Sequence, residues 1–443
     1  MKRLLGEAGF FAYLDALNQP YTRALRVNLL LRPDGTPPCP IEGLGAPVPW
    51  AKGAYFVEGD ARPGLSPLHE GGLFYMQEPS ALTAVTALDP QPGERVLDLC
   101  AAPGGKSTQI AALMAGRGLL CCNEPIPSRA QILSRNIERM GVRNAVVLSA
   151  MPDALAPCFP AFFDRILVDA PCSGEGMFRR QPEARDEWDA DAPRRCADRQ
   201  MEILTQAAKM LRPGGTMVYS TCTFNDTENE GVLRRFLALH PEFSLVPFAL
   251  PGLPEAKDGY LHLYPHEMRG EGHFVSRLKK ADGADEADAP VQAAPQRKAP
   301  ARAAAKGKAP ASIALPDVFS DAFAPERLYT AGDALWMLPE GISIERLSGL
   351  RVLRTGLLLA HAEGKRSEPD HALAMALRPE EAARTASLTQ TQALAYQAGE
   401  TLSLGDLPGG YTLLCCEGVS LGWGKQAGGM MKNHYPKGLR RRN

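Results

Sequence analysis

RVLDLCAAPGGKST, residues 95–108, decides the fold. RVLDLC (95–100) is a short apolar run of strand length. Pro103-Gly104-Gly105 makes a tight turn, and KSTQIAALMA (106–115) follows with the pattern of a helix. The alternation continues outward. LLCCNE (119–124) reads as a strand, and PSRAQILSRNIERM (127–140) as a helix closed by Gly141. NAVVLS (144–149) and RILVDA (165–170) are further buried strands. MEILTQAAKML (201–211) is a helix, and Pro213-Gly214-Gly215 turns into the strand TMVYSTC (216–222). Strands alternating with helices predict an α/β fold with a doubly wound, Rossmann-like parallel sheet. Ligands in such sheets bind beyond the carboxyl ends of the strands.

The glycine turn is the first candidate site. Glycines let the backbone approach a ligand, and a helix N-terminus offers free N–H groups to an anion. The loop is neither G-x-G-x-x-G nor a Walker A sequence, so a methionine carboxylate or amine suits it better than a pyrophosphate. Glu124 ends the second strand, where a carboxylate can accept hydrogen bonds from a ribose diol. The plainer reading of Glu124 is a solvated acid at a strand end.

Two cysteines form the second. Strand RILVD runs into Asp169-Ala170-Pro171-Cys172-Ser173-Gly174-Glu175-Gly176. The next strand ends in Ser220-Thr221-Cys222-Thr223, with Asn225 and Glu228–Glu230 following. Both thiols leave neighbouring strand ends in loops of small and polar residues. Free cysteine is usually a small buried hydrophobe, which fits Cys121, Cys122, Cys415 and Cys416 in their apolar runs but not these two. Two thiols and an aspartate over a methyl-donor site suggest methylation of carbon 5 of cytosine. That carbon is a poor nucleophile until a thiolate adds at carbon 6. An acid near ring nitrogen 3 favours the addition, a base must later remove the carbon-5 proton, and the base must be unstacked. The residues alone leave open which cysteine attacks.

Length and composition bound the rest. A chain of 443 residues suggests roughly two to four domains. The ten cysteines include no C-x-x-C and no zinc spacing, which predicts reduced thiols in a cytoplasmic protein. The net charge of -1 requires any basic surface to be local. The N-terminal apolar stretch is broken by Glu7 and Asp15, as expected of an amphipathic helix and not of a signal peptide or membrane span. Residues 281–312 are Ala, Pro and charge, a composition that predicts a flexible linker. Its basic half, Arg297 to Lys308, is a solvated tether or an RNA contact. The expected units are 1–85, 86–280, the linker 281–312, and 313–443. In the last, RVLRTGLLLAHA and YTLLCCEGVSLGWG read as strands and RPEEAARTAS as a helix. From Gly422 to Asn443, Lys425, Lys432, Lys437 and Arg440–Arg442 interleave with Trp423, His434 and Tyr435, a pattern suited to RNA.

These segments resemble the Nol/Nop/Sun family of RNA cytosine-C5 methyltransferases, and within it the bacterial RsmF type acting on small-subunit ribosomal RNA. The likeness lies in LRVN (25–28), GLFYMQEPSA (72–81), VLDLCAAPGGKSTQI (96–110), DAPCSGEGMFR (169–179), LRPGGTMVYSTCTFNDTENE (211–230) and EGHFVSRL (271–278). It is fainter in GWGKQAGGMMKNHYPKGLR (422–440). The resemblance implies a class I methyltransferase domain with S-adenosylmethionine as cofactor, an N-terminal RNA-recognition subdomain and a C-terminal α+β extension containing a PUA-like barrel. It resolves the tie between the thiols: Cys222 is the nucleophile and Cys172 assists product release. Asp169 meets the cytosine edge, with Lys106 a further candidate to reach substrate. Cys100, Ala101, Ala102, Pro103, Gly104, Gly105 and Lys106 hold the methionine part of the cofactor, and Glu124 its ribose. The acid that meets the adenine falls on Asp153, slightly late in the sequence. Arg23, Arg26 and Arg32, and Arg179, Arg180 and Arg185, are expected RNA contacts. The implied partner is small-subunit rRNA or the 30S particle, bound by a monomer. The alternatives are a tRNA substrate and a non-catalytic assembly factor. A DNA enzyme would use the Pro-Cys thiol alone.

Overall fold

The computed structural model describes residues 1–180, 182–186, 188–283, 318, 325–363 and 366–441. Most of the expected linker, including Arg297 to Lys308, lies outside these residues, as does Arg442.

The chain begins with a helix, Lys2–Leu17, interrupted at Gly6. Four strands follow: β1 (Arg23–Val27), β2 (Leu44–Pro47), β3 (Ala54–Val57) and β4 (Phe74–Gln77), in the order β2-β3-β1-β4. The large sheet then unfolds in chain order as β5 (Arg95–Asp98), β6 (Leu119–Asn123), β7 (Ala145–Leu148), β8 (Phe163–Asp169), β9 (Leu211–Thr221), β10 (Phe243–Leu245), β11 (Tyr260–Leu263) and β12 (His273–Lys280). Its spatial order is β10-β12-β9-β8-β5-β6-β7, with β11 paired to β12. Strands β5 to β9 pair in parallel, whereas β12 runs antiparallel to β9. The winding reverses between β5 and β8, so the crevice above those two strand ends is where a ligand belongs.

The sheet is buried on both faces because the middles of its parallel strands are near-continuous apolar runs. Val96, Leu120, Cys122, Val147, Leu167 and Val218 pack on one face against helices Leu82–Leu88, Gly105–Leu113 and Pro127–Arg139. Leu97, Cys121, Val146, Ile166, Val168 and Tyr219 pack on the other against helices Ala192–Met210 and Asn229–Leu239. The thiols of Cys121 and Cys122 are core, as expected.

The C-terminal unit adds β13 (Leu328–Ala331), β14 (Ala334–Met337), β15 (Val352–Arg354), β16 (Leu357–Glu363), β17 (Arg366–Pro369), β18 (Thr385–Ser387), β19 (Gly410–Cys416), β20 (Val419–Ala427) and β21 (Met430–Asn433). These form sheets β13-β14-β16-β17 and β18-β19-β20-β21. Strand β15 instead pairs antiparallel with β7 and extends the central sheet. A shared core reinforces this joint. Leu25, Val27, Leu73 and Phe74 of the N-terminal unit pack with Tyr396, Leu414, Leu421 and Tyr435 of the C-terminal one.

Two expectations about this unit fail. RPEEAARTAS is not a helix: it forms one 3-10 turn, Pro379–Glu381, and then β18. Its apolar positions are alanines, which cannot make a stripe worth burying. Trp423 and Tyr435 are not available for stacking on RNA. Both are buried, and the Trp423 indole donates to Asp370 O at 2.8 Å. Among the cations of this segment, Lys432 and Lys437 are exposed. Lys425 lies over the Tyr411 ring, and Arg441 donates to Leu65 O and Ser66 O.

Candidate active site

A cavity of about 1040 Å³ opens over the ends of β5, β6, β7, β8 and β9. Cys100, Ala102, Glu124, Asp153, Asp169, Cys172 and Cys222 all line it. Seven residues singled out from five stretches of sequence therefore meet in one space. Ala101, Pro103, Gly104, Gly105 and Lys106 complete the loop behind Cys100 and Ala102.

That loop is built to turn. Gly104 has φ +115°, a conformation costly for any side chain, and starts helix Gly105–Leu113. The first N–H groups of a helix have no intrahelical acceptor. Asp98, at the end of β5, is fully buried and accepts from the Ser107 hydroxyl at 2.7 Å through Oδ2. Its Oδ1 is buried without a hydrogen-bond partner among the described residues. Burial pushes the Asp98 carboxyl up to about 7. Glu124 is also buried, accepting from Ile126 N at 3.0 Å with Arg129 Nη1 3.4 Å away. Asp153 lies in the first turn of the short helix Pro152–Leu155 at the cavity wall.

Asp169 ends β8 and is gripped from three sides. Lys106 Nζ donates to Oδ2 at 2.7 Å, the Ser220 hydroxyl to Oδ1 at 2.8 Å, and His273 Nε2 lies 3.4 Å from Oδ1. Burial alone would raise its pKa. The Lys106 ammonium and the His273 ring outweigh burial and hold the carboxyl well below the usual range. Asp169 is therefore an ionised acceptor. The cation beside it is Lys106, whose own pKa is raised despite burial, by Asp169.

The two thiols are 3.3 Å apart, Sγ to Sγ. The hydrogen bond to Cys222, and then burial, push the Cys172 thiol well up. Cys172 thus keeps its proton beside Cys222. The loops that carry them are stitched together: Gly176 N–H donates to Cys222 O at 2.8 Å, and Phe224 N–H to Glu175 at 2.9 Å.

Sequence reasoning missed His273, which lies on the antiparallel strand β12, far along the chain. It also missed Gln200, a polar residue on an apolar helix face. Two expected RNA contacts are structural instead. Arg26 is buried and donates to Thr108 Oγ1 at 2.9 Å and Gly105 O at 3.3 Å, tying the N-terminal sheet to the glycine loop. Arg179 is held by Glu271 through two bonds of 2.7 Å and by Ala16 O. Arg180 and Arg185 stay exposed.

The sheet order, the reversal at β5 and β8 and the glycine loop define a class I methyltransferase. The chain belongs to the RsmB/F family of 16S rRNA methyltransferases, whose model matches residues 85–279. Models of the RsmF N-terminal domain, first C-terminal domain and PUA domain match residues 1–79, 316–377 and 383–441. Its relatives include the ribosomal RNA small subunit methyltransferase F of Erwinia tasmaniensis, 33% identical over 99% of this chain and 95% of that one. The protein of the same name from Escherichia coli is 34% identical over 97% and 92%. A solved methyltransferase homologue from Pyrococcus horikoshii covers 63% of this chain and 97% of its own, at 29% identity and TM-score 0.52.

The cofactor is S-adenosylmethionine, and the site fits it. The unpartnered Asp98 oxygen and the helix N-terminus match an amino acid's ammonium and carboxylate, and Glu124 matches a diol. No helix among the described residues is long and apolar enough to cross a membrane.

Proposed function

We propose that this protein methylates carbon 5 of a cytosine in 16S rRNA through a transient bond between Cys222 Sγ and carbon 6 of the base. The observation that carries the reading is the pair of thiols 3.3 Å apart beside an ionised, immobilised aspartate. Bound S-adenosylmethionine supplies an electrophilic methyl group.

The residues divide the remaining work. Asp169, as a carboxylate, accepts from the exocyclic amine of cytosine and rejects uracil, whose carbonyl cannot donate. Lys106 holds a proton next to the ring and neutralises charge that the thiolate brings. Addition of the Cys222 sulfur at carbon 6 pushes the ring electron pair onto carbon 5, which becomes nucleophilic. After methylation the carbon-5 proton must leave so that the ring double bond reforms as the carbon–sulfur bond breaks. A thiol with a high pKa is a strong base once its own proton has passed to solvent; Cys172, as that thiolate, takes the carbon-5 proton while the electron pair of the carbon–sulfur bond returns to Cys222 Sγ. Asp98, Glu124, Asp153 and the loop Cys100–Lys106 hold the cofactor. We read the protein as cytoplasmic, since its relatives are named for a ribosomal substrate.

Bisulfite sequencing of rRNA and tRNA from a strain lacking the gene tests the substrate. The expected result is loss of one 16S rRNA mark, restored by the intact gene and not by the Cys222→Ala variant. Loss of a tRNA mark with 16S rRNA unchanged would overturn the rRNA reading.

A further inference from the structure

Behind the two thiols lies a buried carboxylate with no role in the steps above. Glu228 is fully buried. Its Oε1 accepts from Asn225 Nδ2 at 2.8 Å and from the Ser173 hydroxyl; its Oε2 accepts from Ser173 N at 3.1 Å and Gln200 Nε2 at 2.8 Å. Gln200 also donates to Pro171 O at 3.0 Å, and its own Oε1 accepts from Tyr219 Oη at 2.9 Å. Cys172 thus sits between two anchored neighbours, Pro171 and Ser173, and both anchors lead to Glu228. Cys222 is held by Gly176 N–H on its carbonyl, and its neighbour Thr223 touches the Glu228 network only at one remove, through the Ser173 hydroxyl at 2.9 Å and Asn225 Nδ2 at 3.1 Å.

We propose that Glu228 is the positioning residue for Cys172: it sets the reach of that thiol to the reacting base and so governs release of the methylated product, leaving attack by Cys222 untouched. The inference is carried by the directness of the anchors: Glu228 takes two bonds from Ser173 itself and one from the Gln200 that holds Pro171, and none from the residues beside Cys222. A carboxylate with four donors around it is the one group that can satisfy them all at this depth. An amide in its place turns one acceptor oxygen into a donor facing other donors, which pushes the Pro171–Ser173 segment off its position. Misplacement of about 1 Å costs on the order of a hundredfold in a proton-transfer or displacement step. Burial raises the pKa of Glu228, and its charge contributes to keeping Cys172 protonated before the base arrives.

The inference rests on the division of labour between the cysteines, and the test separates the two. Glu228→Gln, Ser173→Ala and Cys172→Ala proteins are each mixed with 16S rRNA and S-adenosylmethionine. The protein–RNA adduct is then followed on denaturing gels alongside turnover and cofactor affinity. The expected result is that E228Q binds cofactor normally and forms adduct at the normal rate. It should release the adduct on the order of a hundredfold more slowly. S173A, which keeps the fold and loses one contact, should slow release to a lesser degree. Wild-type release in both variants overturns the proposal. So does equal loss of attack and release in S173A, because that is the signature of a general structural role. If C172A itself accumulates no adduct, the cysteine roles fail, independently of Glu228.

Discussion

At the residue scale the site is defined by acids whose protonation differs because their surroundings differ. Asp169 and Asp98 end neighbouring strands; Asp98 is fully buried, and Asp169 is half-buried at the cavity wall. Asp169 meets an ammonium, a hydroxyl and an imidazole and stays charged. Asp98 meets a single hydroxyl and is pushed up to about 7. The sign of its effect follows. Its carboxyl ionises near pH 4 in the unfolded chain and near 7 in the fold, so ionisation costs stability between those values and the cost persists above them. Asp98→Asn should therefore stabilise the cofactor-free protein by about 1–3 kcal/mol at pH 8 and change it little at pH 4. The same variant should weaken S-adenosylmethionine binding at least about tenfold, since an ammonium loses its anion. In the wild-type protein, affinity should fall as the pH drops below about 7. Thermal melts at pH 4 and pH 8 and calorimetric titrations between pH 6 and 8 check all three. A pH-independent affinity that Asp98→Asn leaves unchanged would remove Asp98 from the cofactor site.

At the element scale the sequence was readable wherever local rules decided the outcome. The strand–turn–helix of residues 95–115 and the alternation to Cys222 follow from apolar runs, glycine and proline. Each expected strand and helix of that region is found. The position of the two thiols followed too, because strand ends fix it. The losses have physical causes. His273 acts from β12, whose place beside β9 depends on a non-local antiparallel pairing. Arg26, Arg179 and Trp423 look like RNA-binding residues in sequence. Charge and aromaticity do not reveal whether a partner elsewhere in the chain will claim the side chain. For Arg179 that partner is Glu271, and for Trp423 it is the carbonyl of Asp370. Glu228 is a similar case: an acid in an E-x-E stretch that reads as surface, yet four donors bury it.

At the scale of the whole molecule, the C-terminal unit is not a passive attachment. Strand β15 continues the central sheet at β7, Arg143 pairs with Glu381 and donates to Ala376 O, and Arg346 donates to Cys158 O at 3.0 Å. The N-terminal sheet buries Leu25, Val27, Leu73 and Phe74 against it. Removing residues 316–443 would expose these side chains and an unpaired edge at β7. The truncated chain should melt at a lower temperature and aggregate, and the intact chain should show one coupled transition by calorimetry. A truncated protein with an unchanged melting temperature would contradict this coupling. The cations that stay exposed, Arg180, Arg185, Lys432 and Lys437, are the ones we propose for RNA contact.

The covalent chemistry we propose for the two thiols is open to one direct measurement. Cys172→Ala protein, incubated with 16S rRNA and S-adenosylmethionine, is digested with protease and nuclease, and the cross-linked peptide is identified by mass spectrometry. The expected product is a methylated cytidine on the peptide that carries Cys222, absent when Cys222 is also replaced. An adduct on any other cysteine, or methylation that continues without Cys222, would contradict the assignment.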